Sequence, residues 1–213
     1  GVQFERHAQH VAALVLADNY LQTQSLSIAR REGAALLDQQ QRFIRFLEKA
    51  GRLDRAVEYL PNDEQLAERR AAGEGLAAPE LAVLLAYGKM WLSDELVASD
   101  LPEDPWVATA LQRYFPALLR EQFAAWIPRH PLKREIIATH VLNRMVNRVG
   151  PTFVHRLAET RGGKPAEIGR AYLAARDEVR DAGGDVLSAE IDMVALFADL
   201  AELSRNRPVG EQA

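Results

Sequence analysis

Cysteine is absent from this sequence. That excludes disulfides and thiolate metal centres, and it makes a reducing cytoplasm the simplest compartment. Long apolar runs are missing too. The longest, Leu81 to Gly88, falls far short of the roughly 20 residues that a membrane-spanning helix needs. The opening residues, GVQFERHAQH, contain no apolar signal core, so no secretory leader is read there. They also lack an initiator methionine and enter a helical pattern at once, which reads as a piece of something longer. A positive surplus is missing as well. The formal net charge of −4 argues against a general affinity for nucleic acid or an anionic membrane.

What is present is ordinary for a folded domain. The 213 residues are 48% apolar and 26% charged, which matches globular composition. A globule of this size buries roughly 70% of its extended-chain surface. Helical periodicity dominates and no segment alternates like a strand. Phe4, Val11, Leu14 and Val15 share one face of an opening helix, and a second helical stretch covers about Tyr20 to Arg31. The next carries Leu36, Leu37, Phe43, Ile44 and Leu47, with Gly51 at a left-handed cap position. Asn62 with Gln65 forms a capping-box pattern.

Proline gives the strongest boundaries. Pro79, Pro105, Pro116, Pro131, Pro151 and Pro165 each precede a helix-favouring run, where a missing N–H costs nothing. Asp104 before Pro105 is the expected N-cap. Gly150, Gly162-Gly163 and Gly183-Gly184 are expected to end helices. From Pro79 to Trp91 only Glu80 and Lys89 are charged, so this helix is expected to be enclosed on all sides. From Pro131 to Val149 a broad apolar stripe lies opposite Asn143, Arg144, Asn147 and Arg148. A last helix is expected over about Val186 to Ser204. The fold expected is all-α, an irregular bundle of about nine to eleven helices without a sheet. Residues 1–205 form the helical domain, with a subdivision near 100–105 as an option, and residues 206–213 form a loose tail.

No catalytic apparatus is visible. Gly73-Glu74-Gly75-Leu76-Ala77-Ala78 matches G-x-G-x-x-A, but a nucleotide site needs a strand before the first glycine. A charged helix, Asp63 to Ala72, precedes it, so an interhelical turn is the reading. Gly162-Gly163-Lys164 lacks the earlier glycine and the Ser or Thr of a phosphate loop. His7 and His10 alone make a poor metal site, since zinc usually takes three or four ligands. His130, His140 and His155 are scattered and read as surface or capping groups. Carboxylate pairs such as Asp177 and Glu178 lie among arginines and read as solvated ion pairs.

One run is unusual. Asn19, Tyr20, Gln22, Thr23, Gln24, Ser25 and Ser27 are polar but uncharged. Amides and hydroxyls tolerate burial when hydrogen-bonded, whereas charges tolerate it poorly. Two readings stand: a docking surface for another domain, or a polar face that happens to lack charge. Asn143 and Asn147, one turn apart, are a second candidate contact strip; the wet face of a core helix is the reading favoured for them. The candidate docking surface is therefore Asn19, Tyr20, Gln22, Gln24, Asn143 and Asn147. The neighbouring arginines, with Arg156, point to anion binding as an option.

Five phrases occur in order: DNYLQTQSLS at Asp18 to Ser27, PELAVLLAYGKM at Pro79 to Met90, LPEDP at Leu101 to Pro105, YFPALLRE at Tyr114 to Glu121, and HPLKREIIATHVLNRMVNR at His130 to Arg148. Together they resemble the C-terminal helical region of the large bacterial NAD-dependent glutamate dehydrogenases, over roughly residues 11 to 180. The resemblance implies a parent enzyme that converts L-glutamate, NAD and water to 2-oxoglutarate, ammonium and NADH. It places the family's catalytic residues and nucleotide fingerprint upstream, so it carries no catalytic, cofactor or metal residue onto this segment. It implies the upstream catalytic domain as partner, with other subunits of a homo-oligomer as a further option. Scaffolding or interdomain coupling is the role it implies; a free-standing helical adaptor is the alternative. Gly88 departs from the alanine the family pattern implies, and a helical glycine costs about 0.5–1 kcal/mol unless close packing exploits it.

Overall fold

The computed structural model describes residues 2–181. The expected helix over Val186 to Ser204, the Gly183-Gly184 break and the loose tail lie outside them. Among the described residues there are nine α-helices, two short 3-10 helices and no strand. In order these are α1 (Val2–Glu32), α2 (Ala34–Lys49), α3 (Asp63–Ala71), α4 (Ala78–Ala98), a 3-10 turn (Leu101–Glu103), α5 (Pro105–Tyr114), α6 (Ala117–Gln122), a second 3-10 turn (Ile127–Arg129), α7 (Lys133–Val149), α8 (Phe153–Arg161) and α9 (Pro165–Asp181).

The helix ends follow local chemistry. Gly51, at φ +67°, closes α2: Arg52 N–H donates to Leu47 O at 2.9 Å and Gly51 N–H to Glu48 O at 2.9 Å. Those paired bonds satisfy the last carbonyls of the helix. Asn62 and Gln65 exchange side-chain and backbone bonds at 2.9 Å in both directions. Asp104 Oδ1 accepts from Trp106 N–H at 3.0 Å and Val107 N–H at 3.3 Å. At the end of α4, Arg134 donates to the carbonyls of Val97 and Ser99 at 2.8 and 2.6 Å, a cation set against a helix C-terminus.

α4 and α7 are the centre of the packing. Leu81, Leu84, Leu85, Leu92 and Leu96 of α4 are buried, as are Ile137, Val141, Met145 and Val146 of α7. Each such side chain stabilises the fold by roughly 1.5–3 kcal/mol through burial. The core continues through Leu37, Phe43, Ile44 and Leu47 of α2 to Tyr172 of α9. Tyr172 is wholly buried, and its hydroxyl donates to Arg144 O at 3.0 Å, which satisfies the phenol inside the core.

Three expectations are corrected. α1 is one helix of 31 residues, about 46 Å long, not two. The polar run does not interrupt it because its side chains bond back along the same helix: Thr23 Oγ1 to Asn19 O and Ser27 Oγ to Thr23 O, each at 2.9 Å. α4 is not enclosed on every side; Ala82, Ala86 and Met90 form an exposed strip. The stripe expected from Pro131 starts later, because α7 begins at Lys133, and Leu132 before it is exposed.

Candidate functional site

α1 is held at one end and overhangs at the other. Its C-terminal half lays Ser25, Leu26 and Ala29 against the core. Val11, Leu14, Val15 and Leu16 in its N-terminal half remain exposed. Below the overhang lies a cleft of about 720 Å³ between α1, α7 and the corner where α5 meets α6. Val11, Leu14 and Val15 wall one side; Phe115, Leu119 and Ile136 wall the other.

Asp18 is the junction at the base of this cleft. Asn147 Nδ2 donates to its Oδ1, and Gln22 Nε2 donates to its Oδ2 at 2.8 Å. Lys89 Nζ of α4 lies 3.9 Å from the same carboxylate. Three helices therefore meet on one carboxylate. Burial lowers the Lys89 pKa, and Asp18 opposes that shift.

The candidate residues separate into two groups. Asn143 and Asn147 line the cleft, and Asn19 reaches its edge. Asn147 is only 3% exposed, which overturns the wet-face reading: α1 covers that side of α7. Gln22 is committed to Asp18. Tyr20 and Gln24 point outward and bond to each other, Gln24 Nε2 donating to Tyr20 Oη at 2.9 Å. Asn19 is exposed beside them.

Unpaired polarity and positive charge collect in the same place. Among the described residues, five buried side-chain polar atoms lack a partner, and three of them, His10 Nε2, Asn143 Oδ1 and Asn147 Oδ1, belong to residues of this cleft. Arg144, Arg148 and Arg176 also border it. Nothing in the sequence flagged His10 or Arg176 for this site, because α1 and α9 meet α7 only in the fold.

Of the three later histidines, His140 and His155 depart from the surface-or-cap expectation and His130 follows it. His130 is a cap, its Nδ1 accepting from Leu132 N–H at 3.1 Å. His140 is half-buried; burial, then Arg144, Arg113 and Arg176, push its pKa down to about 4. His155 is buried among Phe43, Phe46 and Trp91, with ring centroids 5.1, 4.6 and 6.5 Å away. Burial likewise lowers its pKa, against the pull of Glu159. The side chain of His7 lies outside the described residues. No group of three or more metal-ligating side chains occurs among the described residues.

The G-x-G-x-x-A stretch is a turn between α3 and α4. Gly73 takes φ +73°, and a Cβ on Gly75 would fall 2.6 Å from the Gly33 backbone. Those glycines serve a tight bend and a close approach of two chain segments. Glu80 holds the exit, accepting from Ala77 N–H at 2.6 Å and from Arg69 Nη2 at 2.9 Å.

Among the described residues no helix is long and apolar enough to cross a membrane. Residues 73–181 match the family model described as glutamate dehydrogenase, C-terminal. The chain is 46% identical over 167 residues to the NAD-specific glutamate dehydrogenase of Pseudomonas aeruginosa, covering 78% of this chain and 10% of that protein. It is 45% identical over 167 residues to its namesake in Halomonas elongata, with the same 78% and 10% coverage. The namesake in Mycobacterium tuberculosis is 39% identical over 170 residues, covering 80% and 10%. The chain thus spans about a tenth of the length of the curated relatives it matches. The matched span runs from the turn before α4 to the end of α9 and contains both central helices, so the chain belongs to the glutamate dehydrogenase C-terminal family.

Proposed function

We propose that this chain is the non-catalytic C-terminal helical module of a large NAD-dependent glutamate dehydrogenase, serving as scaffold and interdomain coupling element. In this reading the parent enzyme oxidises L-glutamate with NAD and water to 2-oxoglutarate, ammonium and NADH. NAD and the reacting groups are held by the upstream polypeptide, and this segment binds that polypeptide in the cytoplasm.

The observation that carries the docking role is the outward face of α1. Leu16 is 68% exposed and Tyr20 64%, with Asn19, Gln24, Thr23 and Ser27 beside them and no charge among these six. Exposed apolar groups gain from being covered, and uncharged polar groups enter an interface at low desolvation cost if they find partners. A much longer parent polypeptide supplies the cover.

Full-length polypeptide carrying Leu16→Glu and Tyr20→Glu tests this. The isolated chain should keep its thermal midpoint, because both side chains are already in water. The full-length protein should lose thermal stability and show altered assembly or glutamate-dependent NADH formation. Unchanged stability, assembly and kinetics in the full-length double variant would refute docking through this face.

A further inference from the structure

We propose that Lys89 is a modification site, at which a small acyl phosphate entering a hollow beside α4 and α7 transfers its acyl group to the amine. Lys89 belongs to α4, and its chemistry does not depend on the docking role given to the outward face of α1.

The setting of the amine comes first. The chain has four lysines, Lys49, Lys89, Lys133 and Lys164, and their surroundings differ. Lys49 and Lys164 are exposed. Lys133 Nζ donates to Glu103 Oε2 at 2.8 Å and is committed to that carboxylate. Lys89 keeps 21% of its side chain in water, and its Nζ stands 3.9 Å from Asp18 Oδ2, beyond hydrogen-bond distance. Asp18 itself is taken up by Asn147 and Gln22. Burial lowers the Lys89 pKa, against the pull of Asp18. A partly dried, loosely paired amine is neutral more often than a lysine in water, and the neutral amine is the nucleophile.

Approach comes second. Lys89 lines a hollow of about 580 Å³ together with Met90, Trp91 and Leu142. The other titratable groups there are already engaged: Arg52 Nη1 donates to Asp94 Oδ2 at 2.6 Å, and Tyr87 Oη donates to Glu58 Oε1 at 2.6 Å. Asn143 and Thr139, which α7 adds to the rim, carry no charge. The hydroxyls of Ser93 and Thr139 are weak nucleophiles unless a base activates them, so the amine is the group that reacts.

The donor must be small enough to enter and must carry a good leaving group, because an amine does not displace oxygen from a free carboxylate. An acyl phosphate meets both needs. The nitrogen lone pair attacks the carbonyl carbon and an N–C bond forms. The C–O bond to phosphate breaks, phosphate leaves with that electron pair, and the surplus proton on nitrogen passes to it. The product amide is uncharged, so the transfer removes the cation that faces Asp18.

Incubation of the full chain with acetyl phosphate at neutral pH is the test, with site occupancy followed over time by peptide mass spectrometry. Lys89 should be acetylated at least about threefold faster than Lys49 or Lys164. As pH is raised, its rate should level off before theirs. The preference should vanish in concentrated urea, where every amine is in water. Thr139→Trp changes an exposed position on the rim; it should slow Lys89 several-fold, leave Lys49 and Lys164 alone and keep native helix content. A Lys89 rate no higher than those of Lys49 and Lys164 would overturn the proposal. So would a rate that levels off no earlier than theirs, a preference that persists in urea, or an unchanged Lys89 rate in folded Thr139→Trp.

Discussion

Gly88 sits where α4 meets the α7–α8 corner, and there is no room for a methyl group. A Cβ there would lie 2.9 Å from Pro151 Cβ and 3.2 Å from Phe43 Cε1. The proline ring is rigid, and Phe43 is wholly buried against Trp91 and His155. Alanine would gain about 1 kcal/mol in helix propensity. Overpacking a tight core typically costs about 1–3 kcal/mol, and neither neighbour yields cheaply, so overpacking wins. Gly88→Ala is expected to lower stability by roughly 1 kcal/mol, read as a lower urea midpoint at unchanged slope. Equal or greater stability would mean that Pro151 can move away. A glycine inside an apolar helix was visible in the sequence as a cost awaiting a reason. The reason itself was not visible, because Pro151 lies far along the chain and only tertiary packing brings it to α4.

At the scale of elements, caps were legible and long-range partners were not. Asp104 before Pro105 reads as an N-cap, and Asp104 Oδ1 does take the first free N–H groups of α5. Its other oxygen accepts from Arg170 Nε of α9 at 3.1 Å, which no local pattern announces. Asp104→Ala should cost about 1–2 kcal/mol, mostly as lost capping. Asp104→Asn keeps a capping oxygen but sets an amide against Arg170, so it should recover the capping share alone. Chemical denaturation of both variants separates the terms. If asparagine proves as damaging as alanine, the link to α9 outweighs the cap. α1 shows the reverse failure of local reading. Two helical stretches were expected there, the second from about Tyr20, yet Gln22, Thr23, Gln24 and Ser27 all bond one turn back within a single helix. Polar side chains that close on their own helix leave its continuity intact.

For the whole molecule, helical class and most boundaries follow from periodicity, proline and glycine, because those signals are local. The cleft follows from none of them, since it is the space left between α1, α7 and the corner where α5 meets α6. The burial of His140 and His155 is likewise a property of the assembled body, and it sets the response to acid. Both histidines are pushed below the ordinary value of 6.5, His140 to about 4, first by burial. The unfolded chain therefore binds more protons than the folded one between about 4 and 6.5, and stability must rise with pH across that window. Lowering the pH from 6.5 toward 4 should progressively destabilise the fold. Carboxylates add to this toward lower pH: Glu103 is held below its ordinary 4.5, first by Lys133, and overlaps the foot of that window, while Asp63 is held well below its ordinary 3.8 by Arg55, then by Gln41 and Arg45. Its contribution is present above 3.8 and lost as pH falls further. Urea midpoints measured across both windows should fall in two stages. His140→Gln removes one titrating group and should flatten the upper stage while leaving the lower one. An unchanged upper slope in that variant would show that His140 takes up its proton in the folded state as readily as in the unfolded chain.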